Sequence, residues 1–277
     1  MAGVVLALAA SLAWGTADFG GGLLARRFHV VAVSVVSQAA GFVALVVVAG
    51  AVGSLNGDGV LIGLLAGVGG GTGLAAFYRA LAVGTVSVVA PIAACGAVVP
   101  LLLALASGDD PSGVALVGAV VALGGAVMAS LEERGAEEAG RRDAVVLAAA
   151  SAVLLGLFVY FLGRASQHGG ALSALFGARA ASLTLLAAWA LAIRAPLRFD
   201  GRLGAVAAVG LMDVAANALF ALASRHGVLA IVSVLGSLYP VPTVVLAHLV
   251  LRERITVVQR AGVLVALVGV AMVGSGG

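Results

Sequence analysis

Ten apolar runs of about twenty residues follow one another along this chain, and they leave it little choice of fold. They cover roughly 3–25, 30–51, 59–81, 85–106, 112–131, 144–163, 170–193, 203–224, 228–250 and 256–274, parted by short polar or glycine breaks. A helix of twenty residues rises about 30 Å, the thickness of a bilayer's hydrocarbon core. In lipid the backbone must satisfy its own hydrogen bonds, and these runs are too long and too evenly apolar for barrel strands. The expected fold is therefore all-α, with ten transmembrane helices. Only 10% of the 277 residues are charged, against about 25% in soluble domains, so no length remains for a soluble catalytic domain. Met1-Ala2-Gly3 lacks a basic leader and runs straight into the first apolar segment, which reads as a membrane helix rather than a cleaved signal.

The polar stretch Leu131–Asp143 is the longest and sits near the middle, as a solvated linker would. It separates two copies of one pattern. Val4-Val5-Leu6-Ala7 answers Val145-Val146-Leu147-Ala148, Trp14-Gly15 answers Leu155-Gly156, and Gln38-Ala39-Ala40 answers Arg179-Ala180-Ala181, all at an offset of 141. Gly84 then aligns with Gly227, and Asp109-Asp110 with Arg252-Glu253, at 143. Two repeats are expected, residues 1–134 and 143–277, forming one transmembrane domain. With five spans per copy, the second must be inverted relative to the first. Inverted repeats are a transporter signature and place the site near the midplane between the halves.

The net charge is +3 and all fifteen basic residues are Arg, too few and too dispersed for nucleic acid. Twelve lie at odd-numbered connections, while only Arg164 and Arg225 lie at even-numbered ones. By the positive-inside rule the odd connections face the cytoplasm and both termini face out.

One charge sits where charge is expensive. Between Arg202 and Arg225 lie 22 residues, and the only charged one is Asp213, close to their midpoint. An acid at that depth costs about 2.5–3.5 kcal/mol on insertion scales, so it faces either a cavity or a partner on a neighbouring helix. Asn217 and Phe220 continue the same helix face. Arg179 lies near the centre of the seventh span, about 12 Å from water along the axis, too deep to snorkel easily. Asp213 and Arg179 are therefore expected to pair, as a gated site or as a lock between helices. Gln38, the repeat counterpart of Arg179, suggests a polar pair across the pseudo-twofold axis.

Tyr239 sits mid-span beside Pro240 and Pro242, which free backbone carbonyls there, and it is the better cavity candidate of Tyr160 and Tyr239. Tyr78-Arg79 closes the third span and reads as an interfacial anchor. Gly59, Gly63, Gly67 and Gly71 form a ladder for close helix contact, although Gly69-Gly70-Gly71-Thr72-Gly73 also reads as a locally unwound stretch.

Enzyme readings lack an inventory. His29, His168, His226 and His248 are scattered at span ends, with no HExxH and no clustered Cys/His ligands. Glu137-Glu138 followed by Arg141 distantly resembles the paired glutamates of membrane-embedded prenyl-protein proteases, but has no His partner. The lone Cys95 makes no internal disulfide. No enzyme, metal or cofactor is expected.

Leu12-Ala13-Trp14-Gly15 in the first span, the repeated five-helix unit, and the Pro-containing ninth span ending in Leu251-Arg252-Glu253-Arg254-Ile255-Thr256 before a Gly-rich last helix make a familiar set. The chain resembles the ten-helix EamA-type members of the drug/metabolite transporter superfamily over nearly its whole length. It departs from them in having Gly108-Asp109-Asp110 where the second repeat has Leu251-Arg252-Glu253. The resemblance implies a multi-pass secondary transporter of the inner membrane, commonly an exporter of amino acids, other metabolites or drugs. It also implies cytoplasmic termini, the opposite of the Arg bias. Distant four-helix cation exporters of the superfamily keep a Glu in their first helix, which points to Asp18. Trp14, Asp18 and Gly22 share a face, with Ser11 a turn earlier, while the plainer reading pairs Asp18 with Arg26 or Arg27 at the membrane edge.

The expected substrate-binding set is thus Asp213, Asn217, Arg179, Asp18, Trp14, Gln38 and Tyr239. Expected partners are a small-molecule substrate, with protons as coupling ion, the lipid bilayer, and at most a second copy of the chain. A lipid or isoprenoid-carrier flippase and a non-transporting scaffold stand as alternatives.

Overall fold

The computed structural model describes residues 1–84, 89, 92–93, 95–130, 141–251 and 256–275. Glu137, Glu138 and the corner at 252–255 lie outside these described residues. Among them every regular element is helical: α1 (Ala2–Ala25), α2 (Val30–Val52), α3 (Gly57–Val83), a 3-10 turn at Cys95–Ala97 leading into α4 (Val98–Ala106), α5 (Gly113–Ser130), α6 (Arg141–Gly169), α7 (Ala171–Ala192), α8 (Leu203–His226), α9 (Leu229–Gly236), α10 (Pro240–Leu251) and α11 (Val257–Ser275). Helices α1, α2, α3, α6, α7 and α8 are each long and apolar enough to cross a membrane. Four shorter apolar helical stretches, Cys95–Ala106, Gly113–Met128, Leu229–Thr243 and Val257–Val273, accompany them. The chain is a multi-pass helical membrane protein.

Local chemistry sets the ends. Asn56 accepts a hydrogen bond from the Gly59 amide (3.0 Å) as the N-cap of α3. Thr256 and Gln259 bond reciprocally at the start of α11, Thr256 N to Gln259 Oε1 (2.8 Å) and Gln259 N to Thr256 Oγ1 (3.2 Å), which is a capping box. One residue, Gly170, joins α6 to α7, and its φ of 87° lets the chain reverse there.

Two boundaries differ from the apolar runs. The sixth helix begins at Arg141 and continues past Arg164 to Gly169, because the tight Gly170 reversal needs no polar loop. The ninth run is two helices parted by Ser237-Leu238-Tyr239, since Pro240 and Pro242 lack the amides that would carry one helix through.

Small residues bring the helices together. Helix α3 runs unbroken between α6 and α7, so Gly69–Gly73 is packed helix rather than an unwound loop. A Cβ on Gly59 would lie 2.8 Å from the Cα of Gly169, one on Gly71 2.9 Å from Ser182 Cβ, and one on Gly69 2.7 Å from the Leu154 carbonyl. Helix α8 packs on α1 and α2, α5 on α11, and α4 on α9. Without a hydrophobic driving force between helices in lipid, such close backbone approach supplies the van der Waals contact that holds them.

These contacts come in corresponding pairs. A Cβ on Gly67 would strike the Ala178 carbonyl, and one on Gly210 would strike the carbonyl of Ser37. A Cβ on Gly15 would lie 2.5 Å from the Tyr239 carbonyl, and one on Gly156 2.7 Å from that of Gly96. Each pair maps onto the other at the offsets of 141 and 143 already present in the sequence.

Candidate functional site

Helices α1, α2, α3, α6, α7 and α8, with the break between α9 and α10, line a partly open cavity. Its polar lining comes from a few turns of helix. Trp14 and Asp18 are one turn apart on α1, as are Asp213 and Asn217 on α8. Gln38 enters from α2, Arg179 and Ser182 from α7, and Ser237 and Tyr239 from the break. The apolar walls include Leu74, Leu155, Phe158 and Leu175. All seven residues singled out from the sequence line this one cavity.

Arg179 is the centre of the polar network and only 5% exposed. Its Nη2 donates to Asp213 Oδ2, forming an ion pair between α7 and α8, and its Nη1 donates to Gln38 Oε1 on α2. Ser182 Oγ donates to the same Gln38 oxygen at 2.9 Å. Asn217 Nδ2 donates to the Asp213 carbonyl (2.8 Å) and to Asp213 Oδ1 (3.3 Å). Both carboxylate oxygens of Asp213 are thus engaged, and the network joins three helices. A buried pair of this kind gains little net stability over apolar packing, yet losing one partner strands a charge.

Asp18 is 8% exposed and takes no hydrogen bond or ion pair among the described residues. Arg26 and Arg27 are exposed at the end of α1, so the pairing at the membrane edge does not form; Asp18 sits too far inside. Asn217 Oδ1 is buried without a partner. The amide orientation follows from its neighbours: only Nδ2 has hydrogens to offer the two Asp213 oxygens.

Aromatic groups stiffen the cavity. Trp14 rests on Phe220 with ring centroids 5.5 Å apart, and Tyr239 meets Phe77 edge-on at 6.3 Å. Thr243 Oγ1 donates to the Gly15 carbonyl (3.1 Å) and to that of Tyr239 (2.9 Å), fixing the α9–α10 break against α1. Tyr160 lies outside the lining, its hydroxyl 2.6 Å from Ser107 Oγ.

Tyr78 corrects the anchor reading. It is 1% exposed, with its ring against Gly21, while Arg79 alone reaches the surface. Helix α3 extends past it to Val83, which places Tyr78 inside the bundle rather than at the interface. Ser182 and Ser237 were missed from sequence, since serines are ordinary in membrane helices; the one usable signal was that Ser182 follows Arg179 by a helical turn.

A polytopic helical bundle with a polar network lining an internal cavity defines the class, a multi-pass helical membrane protein. Residues 143–275, the second half of the chain, match the EamA-like transporter family of the drug/metabolite transporter superfamily. No curated protein matches the sequence. Among solved structures, one crystal structure superposes with a TM-score of 0.74 at 17% identity, over 98% of this chain and 96% of that one, a likeness of fold alone.

Proposed function

We propose that the chain is a secondary transporter that moves a small polar or amphipathic metabolite by alternating access, as an exporter of the inner membrane. The observation that carries this reading is the network Gln38–Arg179–Asp213, which joins α2 to α7 and α8 inside a cavity. Such a network is strong enough to hold one state and consists of bonds a solute can replace. Asp213 offers a carboxylate to a substrate ammonium or a coupling proton, Asn217 a hydrogen bond, and Arg179 a guanidinium to a carboxylate. A solute that takes Arg179 from Asp213 frees the helices to move and leaves Asp213 open to a proton.

The architecture we assign is ten transmembrane helices in two inverted repeats, residues 1–134 and 143–277. The corresponding pairs of glycine contacts support it. The break at Ser237–Tyr239 in the ninth run lies at the cavity, and an interrupted helix is where such transporters bind substrate.

Flux of candidate metabolites into proteoliposomes, compared between the wild type and Asp213→Asn, tests the proposal. The expected loss is about tenfold or more, the size of one charge-assisted hydrogen bond. Unchanged flux with unchanged pH dependence would overturn it.

A further inference from the structure

Two pairs of helices run past the cavity and then meet beyond it. Helices α1 and α3 line it with Asp18 and Leu74, and α6 and α8 with Val159 and Asn217. One to two turns further along, α1 and α3 touch: a Cβ on Gly21 would strike the Tyr78 hydroxyl, and one on Gly22 would lie 3.1 Å from Leu81 Cδ1. At the same remove α6 and α8 touch. Ser166 Oγ donates to the Ala221 carbonyl (2.5 Å), Gln167 Nε2 to that of Ser224 (2.9 Å) and Ser224 Oγ to that of Gly163 (3.4 Å). The start of α1 lies on the end of α8, with Gly3 against His226, and the start of α3 on the end of α6, with Gly59 against Gly169. The two contacts therefore lie at opposite ends of the bundle. They also occupy matching positions in the sequence pattern, since Gly22 and Gly163 stand 141 residues apart and Leu81 and Ser224 stand 143 apart. The chemistry does not match. One contact sets an aromatic and an aliphatic knob on glycines, and the other sets side-chain donors on backbone carbonyls.

We infer that these contacts are the two gates of the cavity, and that the polar gate is the weaker, so that the resting protein admits solute between α6 and α8. The inference rests on the transporter reading for its purpose and adds to it the residues that close each end. Helix α3 packs on α6 and α7, and α8 on α1 and α2, so each contact joins one of these sets to the other. Rocking of the sets parts one contact as it tightens the other. Parting α1 from α3 uncovers Tyr78 and Leu81, 1% and 5% exposed, and gives up their buried apolar area to water. The residues bonded across α6 and α8 carry little apolar surface, and water entering there takes over the bonds that Ser166, Gln167 and Ser224 release. Ser224 also keeps a partner in its own helix, donating to the Ala221 carbonyl at 2.9 Å.

A thiol placed in the cavity reads both gates. Cys95→Ala removes the native cysteine, and Ser237→Cys puts a reporter in the lining. The full chain in lipid nanodiscs, where both ends of the bundle meet water, is then treated with a small charged methanethiosulfonate. A second pair of substitutions, Gly22→Cys with Leu81→Cys, locks the apolar gate, because a Cβ on Gly22 would stand 3.9 Å from that of Leu81, the span of a disulfide. With that disulfide closed, the labelling rate of the reporter should stay near its unlocked value. Ser166→Ala with Ser224→Ala should raise it about two- to tenfold for each bond removed, the fold-change of one net hydrogen bond. A rate abolished or strongly reduced by the lock, or unmoved by loss of the two serines, overturns the inference. If the serine variant fails to fold, the lock still decides, because it leaves only the way between α6 and α8. Flux in proteoliposomes is read separately. Flux that continues with the disulfide closed would overturn the gates and leave the transporter reading standing. Labelling as expected with no flux of any metabolite tried would do the reverse.

Discussion

Arg179 on α7 and Gln38 on α2 stand 141 residues apart in the chain, at equivalent positions of the repeated pattern, and their side chains hydrogen-bond to each other. In the proposed inverted-repeat architecture, a residue that touches its own counterpart lies close to the axis relating the two copies. The same position therefore carries different chemistry in the two halves, a cation in one and an amide in the other. Asp213 has no acidic counterpart: Gly70 stands at the matching position, backed by Phe158. The glycine contacts match between the two halves of the sequence pattern, and the site residues do not.

Removing one partner of the ion pair should cost more than removing both. Arg179 and Asp213 have side chains 6% and 14% exposed. Arg179→Met leaves Asp213 as an uncompensated buried charge and should destabilise the protein by about 3–5 kcal/mol. Arg179→Met combined with Asp213→Leu should recover most of that loss while transport stays abolished. A double-mutant cycle on thermal unfolding in detergent, run beside flux, checks both halves. If each single variant is as stable as the wild type, the pair is not buried as described.

Glycine substitutions should sort by what the new Cβ meets. At Gly67 and Gly210 it meets a backbone carbonyl, of Ala178 and Ser37 respectively, which has nowhere to go, whereas at Gly204 nothing lies within 4 Å. Gly67→Ala and Gly210→Ala should each cost about 1–3 kcal/mol, as overpacking does. Gly204→Ala, in the first turn of α8, should be neutral or slightly stabilising because alanine is the better helix former. Melting temperatures of the three variants decide it, and a neutral Gly210→Ala would mean that α8 and α2 are not in backbone contact.

Much of this was readable before any coordinates. Arg179 and Asp213 stood out because each is a charge deep within an apolar run, and depth alone says that it needs a partner or a cavity; Asp18 was pointed to by the family resemblance, with pairing to Arg26 or Arg27 at the membrane edge as the plainer reading. Pro240 and Pro242 marked freed carbonyls beside Tyr239, but the ninth run still read as one span, since hydropathy alone does not register a break within an apolar stretch. What could not be read was reach. Sequence placed Tyr78 at a span end, but α3 extends past it and buries it. It noted the odd Gly108-Asp109-Asp110 corner without its use. In the structure Asp109 Oδ2 accepts the Ala230 amide at 2.9 Å, capping α9, 121 residues away. Such a contact depends on how two remote loops meet, which no local pattern encodes.

That capping contact makes its own prediction. Val228, the N-cap of α9, supplies no side-chain hydrogen bond of its own, so Asp109 takes over the task from another loop and adds negative charge at the positive end of the helix. Asp109→Ala should cost about 1 kcal/mol of stability, and Asp109→Asn, which keeps an acceptor, about half of that or less. Faster hydrogen exchange at the start of α9 in the Asp109→Ala protein, with the rest of the bundle unchanged, is the expected signature. Exchange that is unaltered there would show that the cap does not hold α9.

Gly15 and Gly156 offer a sharper test, because they are matched in packing but not in what lies behind them. A Cβ on Gly15 would press on the Tyr239 carbonyl and on Pro242 Cγ, both at 2.5 Å, while one on Gly156 would press on the Gly96 carbonyl and on Val99 Cβ, both at 2.7 Å. Similar crowding predicts similar stability losses of about 1–3 kcal/mol for Gly15→Ala and Gly156→Ala. Their effects on transport should differ. Tyr239 lines the cavity and Gly96 does not, so only Gly15→Ala displaces a group that a solute would touch. Flux per folded molecule should therefore fall severalfold in Gly15→Ala and stay near the wild-type value in Gly156→Ala. Equal flux losses in the two would mean that the two packing contacts matter alike, and that the place of Tyr239 in the cavity lining gives Gly15 no special role in transport.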